Sequence, residues 1–127
     1  MVLNNKFLCR GESEVWRDDN DRINDLFLNL RSIKHFPAEC PICKRNSAHL
    51  YMDIHNPNTR RGGLWVWCNE CYTFSHCSIY VPEYWETSTM ISKEKLCAIP
   101  DYLNHISDVV DAHVNRILAN WVVEKND

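Results

Sequence analysis

The chain has 127 residues, 45% of them hydrophobic, which is enough for one small domain with a modest buried core. Fourteen basic and seventeen acidic side chains leave a formal charge of −3, which excludes the positive excess of a general nucleic-acid binder. No apolar run is long enough for a membrane span, and there is no internal repeat or low-complexity linker.

The charge is uneven. Residues 1–35 carry six basic and six acidic side chains, residues 36–81 four and three, and residues 82–127 four and eight. Acidic surface is therefore expected mainly in the C-terminal third. The seven cysteines are an odd number, the N-terminus shows no secretory signal pattern, and four of the cysteines fall in metal-type pairs. A reducing, cytoplasmic setting follows, with Cys9, Cys77 and Cys97 expected as ordinary half-buried thiols.

Met1 to Gly11 lacks sustained periodicity and reads as a short arm docked by Phe7, Leu8 and Cys9. A helix is expected over residues 13–34, because Trp16, Ile23, Phe27 and Leu30 fall in one stripe at about 100° per residue, with Leu26 beside it. Glu12, Glu14, Asp18 and Asp19 near its start, and Arg31 and Lys34 near its end, match the helix dipole. Phe36-Pro37 stops it.

Cys40-Pro-Ile-Cys43 and Cys68-Asn-Glu-Cys71 then bracket 24 residues with strand patterns. A two-residue gap lets a tight backbone knuckle aim both sulfurs at one point, and two knuckles complete a tetrahedral shell. This predicts one structural zinc ion held by Cys40, Cys43, Cys68 and Cys71, with no position open to substrate. A redox role would need one such pair at a helix N-terminus instead.

Between the pairs, Leu50, Met52 and Ile54 alternate with His49, Tyr51, Asp53 and His55, the pattern of a half-buried strand with the second set solvated. Asn56 to Gly63 reads as a loop, expected to project as an extended hairpin tip. Leu64 to Trp67 and Tyr72 to Val81 supply two more strands. Residues 40–81 thus read as a three-stranded antiparallel zinc ribbon. Pro82 to Glu86 reads as an aromatic exit with one helical turn, and Ser92 to Cys97 as a short helix. A second amphipathic helix is expected over residues 101–124, with Leu103, Ile106, Val110, Val114, Ile117 and Trp121 on one face, Leu118 on its flank and Asp111 near the boundary. The fold class is α+β: one domain, the ribbon flanked by the two helices.

Several other groups could carry chemistry. His76 or Cys77 could be an alternate ligand. His49, Asp53 and His55 could form a second metal cluster, although nothing nearby supplies the acid, base and open metal position that hydrolysis requires. The aromatic residues around the ribbon fill a core or present a partner surface. Lys44, Arg45, Arg60 and Arg61 could meet near the knuckle and hairpin tip to touch phosphates. Acidic residues on the helices are solvated or meet a basic partner.

Cys40 to Cys43, the Arg61-Gly-Gly-Leu-Trp-Val-Trp-Cys-Asn-Glu-Cys71 segment and the Val81-Pro-Glu-Tyr-Trp85 exit together resemble a group of small bacterial zinc-ribbon proteins. Asp111 to Leu118 looks like their closing helix. The likeness covers residues 40–85 and, loosely, the last helix. Some of that group are immunity-type proteins of polymorphic and contact-dependent toxin systems. The resemblance implies a non-enzymatic cytoplasmic protein that binds a toxin domain through aromatic and acidic surface. The alternative is a nucleic-acid-binding or regulatory zinc ribbon.

Overall fold

The structure, a computed structural model, describes residues 15–125, with side chains up to Trp121. The expected arm around Phe7 to Cys9 lies outside the described residues. A mixed α+β fold is organised on a five-stranded sheet. β1 is Arg17–Asp18, α1 is Asn20–Ile23, α2 is Asp25–Leu28, β2 is Ala38–Glu39 and β3 is Asn46–Asn56. β4 is Arg61–Cys68, β5 is Thr73–Tyr80, α3 is Asp101–His105 and α4 is Ser107–Lys125. The sheet order is β1-β5-β4-β3-β2.

The three central strands are antiparallel, as the alternation predicts, with Leu50 opposite Val66 and Trp67 opposite Phe74. Two short strands extend the expected three. β2 leads into the first knuckle and pairs antiparallel with β3. β1 pairs parallel with β5, Arg17 against Thr73. These added strands have two residues each, too few to give a period-2 signal in sequence.

The helix expected over residues 13–34 is broken among the described residues. α1 and α2 are single turns, followed by a 3₁₀ turn at Leu30–Ser32. The apolar stripe is still buried at Ile23, Leu26 and Leu30. The backbone interrupts because Asn20, Asp21, Asn24, Asp25 and Asn29 favour caps and turns over helix interiors. Asp19 caps α1 through its carboxylate to the Arg22 N–H at 3.2 Å, and the Asn29 amide donates to the Asp25 carbonyl at 2.9 Å.

The C-terminal helix is expected from 101 and starts there, but Ile106 divides it into α3 and α4. Its predicted face is buried at Leu103, Val110, Val114, Ile117 and Leu118. The exit Pro82 to Trp85 forms a turn closed by the Trp85 N–H to the Pro82 carbonyl at 3.0 Å. The short helix expected at 92–97 is a 3₁₀ turn, Lys93–Lys95.

The largest departure concerns the strand face carrying His49, Tyr51 and Asp53. It is not solvated: these residues are 3%, 0% and 2% exposed. α4 lies over it, with Asp111 bonded to His49 and the His113 ring 6.2 Å from that of Tyr51. The alternate set on β3, Leu50 and Met52, is also fully buried. A strand covered on both faces can carry polar side chains inside when each finds a partner, and alternation of polarity alone does not reveal that.

The tryptophans mostly fill the core rather than line a partner surface. Trp65 donates its indole N–H to the Cys97 carbonyl at 2.7 Å, Trp67 to Asn104 Oδ1 at 3.1 Å and Trp85 to the Met52 carbonyl at 2.7 Å. Trp16 donates to Asp101. Burying an indole without such a partner would lose a hydrogen bond to water. Among the described residues no helix is long and apolar enough to cross a membrane.

Candidate metal centre

The two knuckles are built alike. In each, the residue two beyond the first cysteine turns its backbone N–H onto that cysteine's sulfur: Ile42 to Cys40 and Glu70 to Cys68, both at 3.4 Å. In each, the residue after the second cysteine takes a left-handed conformation, Lys44 at φ 67° and Tyr72 at φ 56°. That conformation reverses the chain into the next strand immediately after the ligand pair. The sheet then superposes the two turns, because Ala48 of β3 sits opposite Cys68 of β4.

Cys40, Cys43, Cys68 and Cys71 consequently converge, their four Sγ atoms within 4.8 Å of one another. Cys40 to Cys71 is 3.8 Å and Cys43 to Cys68 is 3.7 Å. A tetrahedron of sulfurs with metal–sulfur bonds of about 2.3 Å has edges of about 3.8 Å. The donors therefore fit one metal ion. Outside the sulfurs, the Ser47 hydroxyl lies 3.0 Å from Cys68 Sγ and the Thr73 hydroxyl 3.4 Å from Cys71 Sγ. Both are placed to hold the ligands in orientation.

Burial and local hydrogen bonds set the protonation of the Cys40, Cys43 and Cys68 thiols differently. Burial pushes the Cys40 thiol up to about 12 and also raises that of Cys68. Burial opposes the Cys43 thiolate too, but the Arg45 backbone N–H and hydrogen bonds from Cys68, Cys40 and Cys71 outweigh it, and its pKa falls to about 7. Four thiolates at this spacing need a positive charge among them, so metal binding releases protons.

His76 and Cys77 do not join the cluster, which consists of the four cysteines alone among the described residues. His76 stacks on Trp65 with ring centroids 4.4 Å apart. Cys77 is a half-buried free thiol, as expected, whereas Cys97 is disulfide-bonded and so corrects the expectation of an ordinary thiol there. Cys9 lies outside the described residues.

His49, Asp53 and His55 do not form a common cluster. His49 pairs with Asp111 through Nδ1 at 2.8 Å. Asp53 instead receives the Lys93 ammonium at 3.0 and 3.2 Å, with His55 at 3.4 Å. Asp53, His55, His76 and Lys93 line a cavity of about 400 Å³ floored by Trp65. The partners Asp111 and Lys93 lie 62 and 40 residues away in sequence, so local patterning carries no sign of either pairing.

The four basic residues also separate. Lys44 and Arg45 flank the knuckle end of β3, while Arg60 and Arg61 lie past its other end, eleven residues away, or about 33 Å. Arg45 pairs with Glu70 at 2.9 Å. The hairpin is shorter than expected, since β3 runs to Asn56 and β4 starts at Arg61. Arg60 does not project: its guanidinium donates to the carbonyls of Val81, Pro82 and Trp85 at 3.1, 2.6 and 2.8 Å. Arg61 lies over the exposed Tyr80 ring, 4.8 Å from its centroid.

No protein-family model, curated protein or solved structure matches this chain.

Proposed function

We propose that the chain is a zinc-binding, non-enzymatic scaffold acting by protein–protein binding, with β3, β4, β5 and the two knuckles forming a zinc ribbon. The observation that carries the metal assignment is the convergence of four sulfurs within 4.8 Å of one another, two of their separations being 3.7 and 3.8 Å. Zinc is favoured because an all-thiolate tetrahedral site suits it and leaves no geometric demand unmet. Four protein ligands close the shell, so the ion serves as a structural staple without a position for substrate.

The most specific role we propose is an immunity protein that occludes a bacterial toxin domain. It rests on the resemblance of residues 40–85 to the immunity-type zinc ribbons. Steric and electrostatic blocking would need no turnover. The acidic surface available for it is smaller than the sequence implies, since Asp53 and Asp111 are buried and Asp101 holds Trp16. Exposed Asp18, Asp21, Asp25, Glu83, Glu86, Glu94 and Asp108 are among those that remain.

Co-expression with the product of the neighbouring open reading frame tests this role. A stable complex and rescue of growth are expected; neither complex nor rescue would refute the immunity role while leaving the metal assignment intact. The nucleic-acid alternative gains no support from the basic residues, because the two pairs lie apart and Arg45 and Arg60 are already engaged.

A further inference from the structure

A groove between α4 and the segment 86–90 holds a cation that the fold positions but does not neutralise. His113 is 5% exposed, and both its ring nitrogens are occupied. Its Nε2 lies 2.6 Å from the Glu86 carbonyl, which can only accept, so Nε2 carries the proton. Its Nδ1 therefore offers a lone pair, and it accepts from Arg116 Nη2 at 3.1 Å. The neutral imidazole thus fixes one corner of the Arg116 guanidinium. That is the only hydrogen bond of the Arg116 side chain among the described residues, and it makes no ion pair there. The remaining donors of an exposed, oriented fork are left facing outward.

Two adjoining cavities open where they face. One, of about 260 Å³, is polar and brings the hydroxyls of Thr87, Ser88 and Thr89 beside Arg116. Thr87 Oγ1 already accepts from the Ile54 N–H at 3.1 Å, and Ser88 Oγ from the Met90 N–H at 3.0 Å. Each hydroxyl hydrogen is therefore free to be donated. The other cavity, of about 420 Å³, shares Ser88, Met90, His113 and Arg116 and is walled by Val109 and Ala112. Met90 is 74% exposed along it. The acidic groups nearby are Glu86, which makes no ion pair with Arg116, and Asp108. Asp108 sits eight residues before Arg116 on α4, about 12 Å along the axis, so it does not neutralise the fork.

We propose that this groove binds an amphipathic oxyanion. A carboxylate or phosphate head sits on the Arg116 guanidinium and the 87–89 hydroxyls, and a short apolar chain lies along Met90, Val109 and Ala112. The site is separate from the cysteine cluster and does not depend on the immunity role.

The test titrates the full, zinc-loaded chain with acetate, hexanoate, inorganic phosphate and hexyl phosphate, followed by nitrogen–proton NMR. Saturable shifts are expected at Ser88, Thr89, Met90 and the Arg116 Nε–H. The tailed ligands should bind at least tenfold more tightly than the tailless ones, because four added methylenes in hexanoate and a six-carbon chain in hexyl phosphate leave water. A preference for hexanoate or for hexyl phosphate identifies the head group. Arg116→Gln should abolish saturation, while Met90→Ser should reduce only the advantage of the tail. No saturation by any of the four ligands, or equal affinity in Arg116→Gln, would overturn the site. Equal affinity for tailed and tailless ligands would overturn its amphipathic character.

Discussion

His49 Nδ1 lies 2.8 Å from Asp111 Oδ1 and 3.1 Å from Oδ2, a polar contact that fastens α4 to the middle of the sheet. Both side chains are buried, and the imidazole also stacks on Trp67 with ring centroids 5.3 Å apart. Removing one partner strands the other in a low-dielectric site, whereas replacing both by apolar groups removes the desolvation cost as well. Asp111→Ala should therefore lower stability by about 3 kcal/mol in urea unfolding of the metal-loaded protein. The double variant His49→Phe with Asp111→Leu should recover part of that loss. Additive losses in the double variant would show that the two side chains do not act as a pair.

Metal removal should act unevenly. At the knuckle end, Ile42, Lys44 and Glu70 depend on turns whose sulfurs converge on the cluster. The sheet centre is held instead by Tyr51, Trp65, Trp67 and Trp85, each 2% exposed or less. Chelation, or Cys68→Ser, should thus release hydrogen-exchange protection around residues 40–45 and 68–72 first, with Leu50 and Val66 protected longest. The whole 40–81 segment unfolding together would instead show that the metal supplies much of the stability of that segment. Metal analysis should give one zinc per chain, lost in Cys68→Ser.

Arg60 is a structural cap in this fold. It takes a left-handed backbone, φ 63°, and binds three carbonyls of the exit turn. Arg60→Ala should destabilise by about 2 kcal/mol, because it leaves charge-assisted hydrogen bonds unmade. Binding to single-stranded DNA at low salt should be weak in the parent and unchanged in the variant. A strong, salt-dependent affinity that Arg60→Ala removes would restore the nucleic-acid reading.

The pH dependence has a defined sign. Burial lowers the pKa of His113, and the nearby Arg116 charge adds to this against the pull of Glu86. An unfolded imidazole takes a proton near about pH 6.5, whereas the folded one does so only at lower pH. Below that value the unfolded chain binds more protons, so stability should fall as pH falls from 6.5 toward the folded pKa. Above it the group contributes no slope. His76 shifts in the same direction through burial and the neighbouring His55. Urea midpoints at pH 7.5 and 5.5 measure the effect, with zinc retention monitored because acid also releases metal. His113→Gln should flatten the slope. An unchanged slope would assign it elsewhere.

The sequence by itself determined the four-cysteine cluster, the three central strands and the buried face of the last helix. Each is a local pattern: a fixed two-residue gap, a period of two or a period of 3.6. It also located the interruptions poorly, since the Asn and Asp side chains that break residues 20–29 act through individual caps rather than through periodicity. Only the tertiary structure decided the fate of the polar residues. His49 and Asp53 alternate with apolar neighbours as solvated residues would, yet Asp111 and Lys93 reach them from distant segments and bury them. Arg60 looked like part of a projecting tip until the exit turn folded back onto it. Such pairings join residues 21 to 62 positions apart, and nothing in either partner's own neighbourhood encodes the other. The same long-range packing placed Arg116 beside the 87–89 hydroxyls and left its charge unanswered.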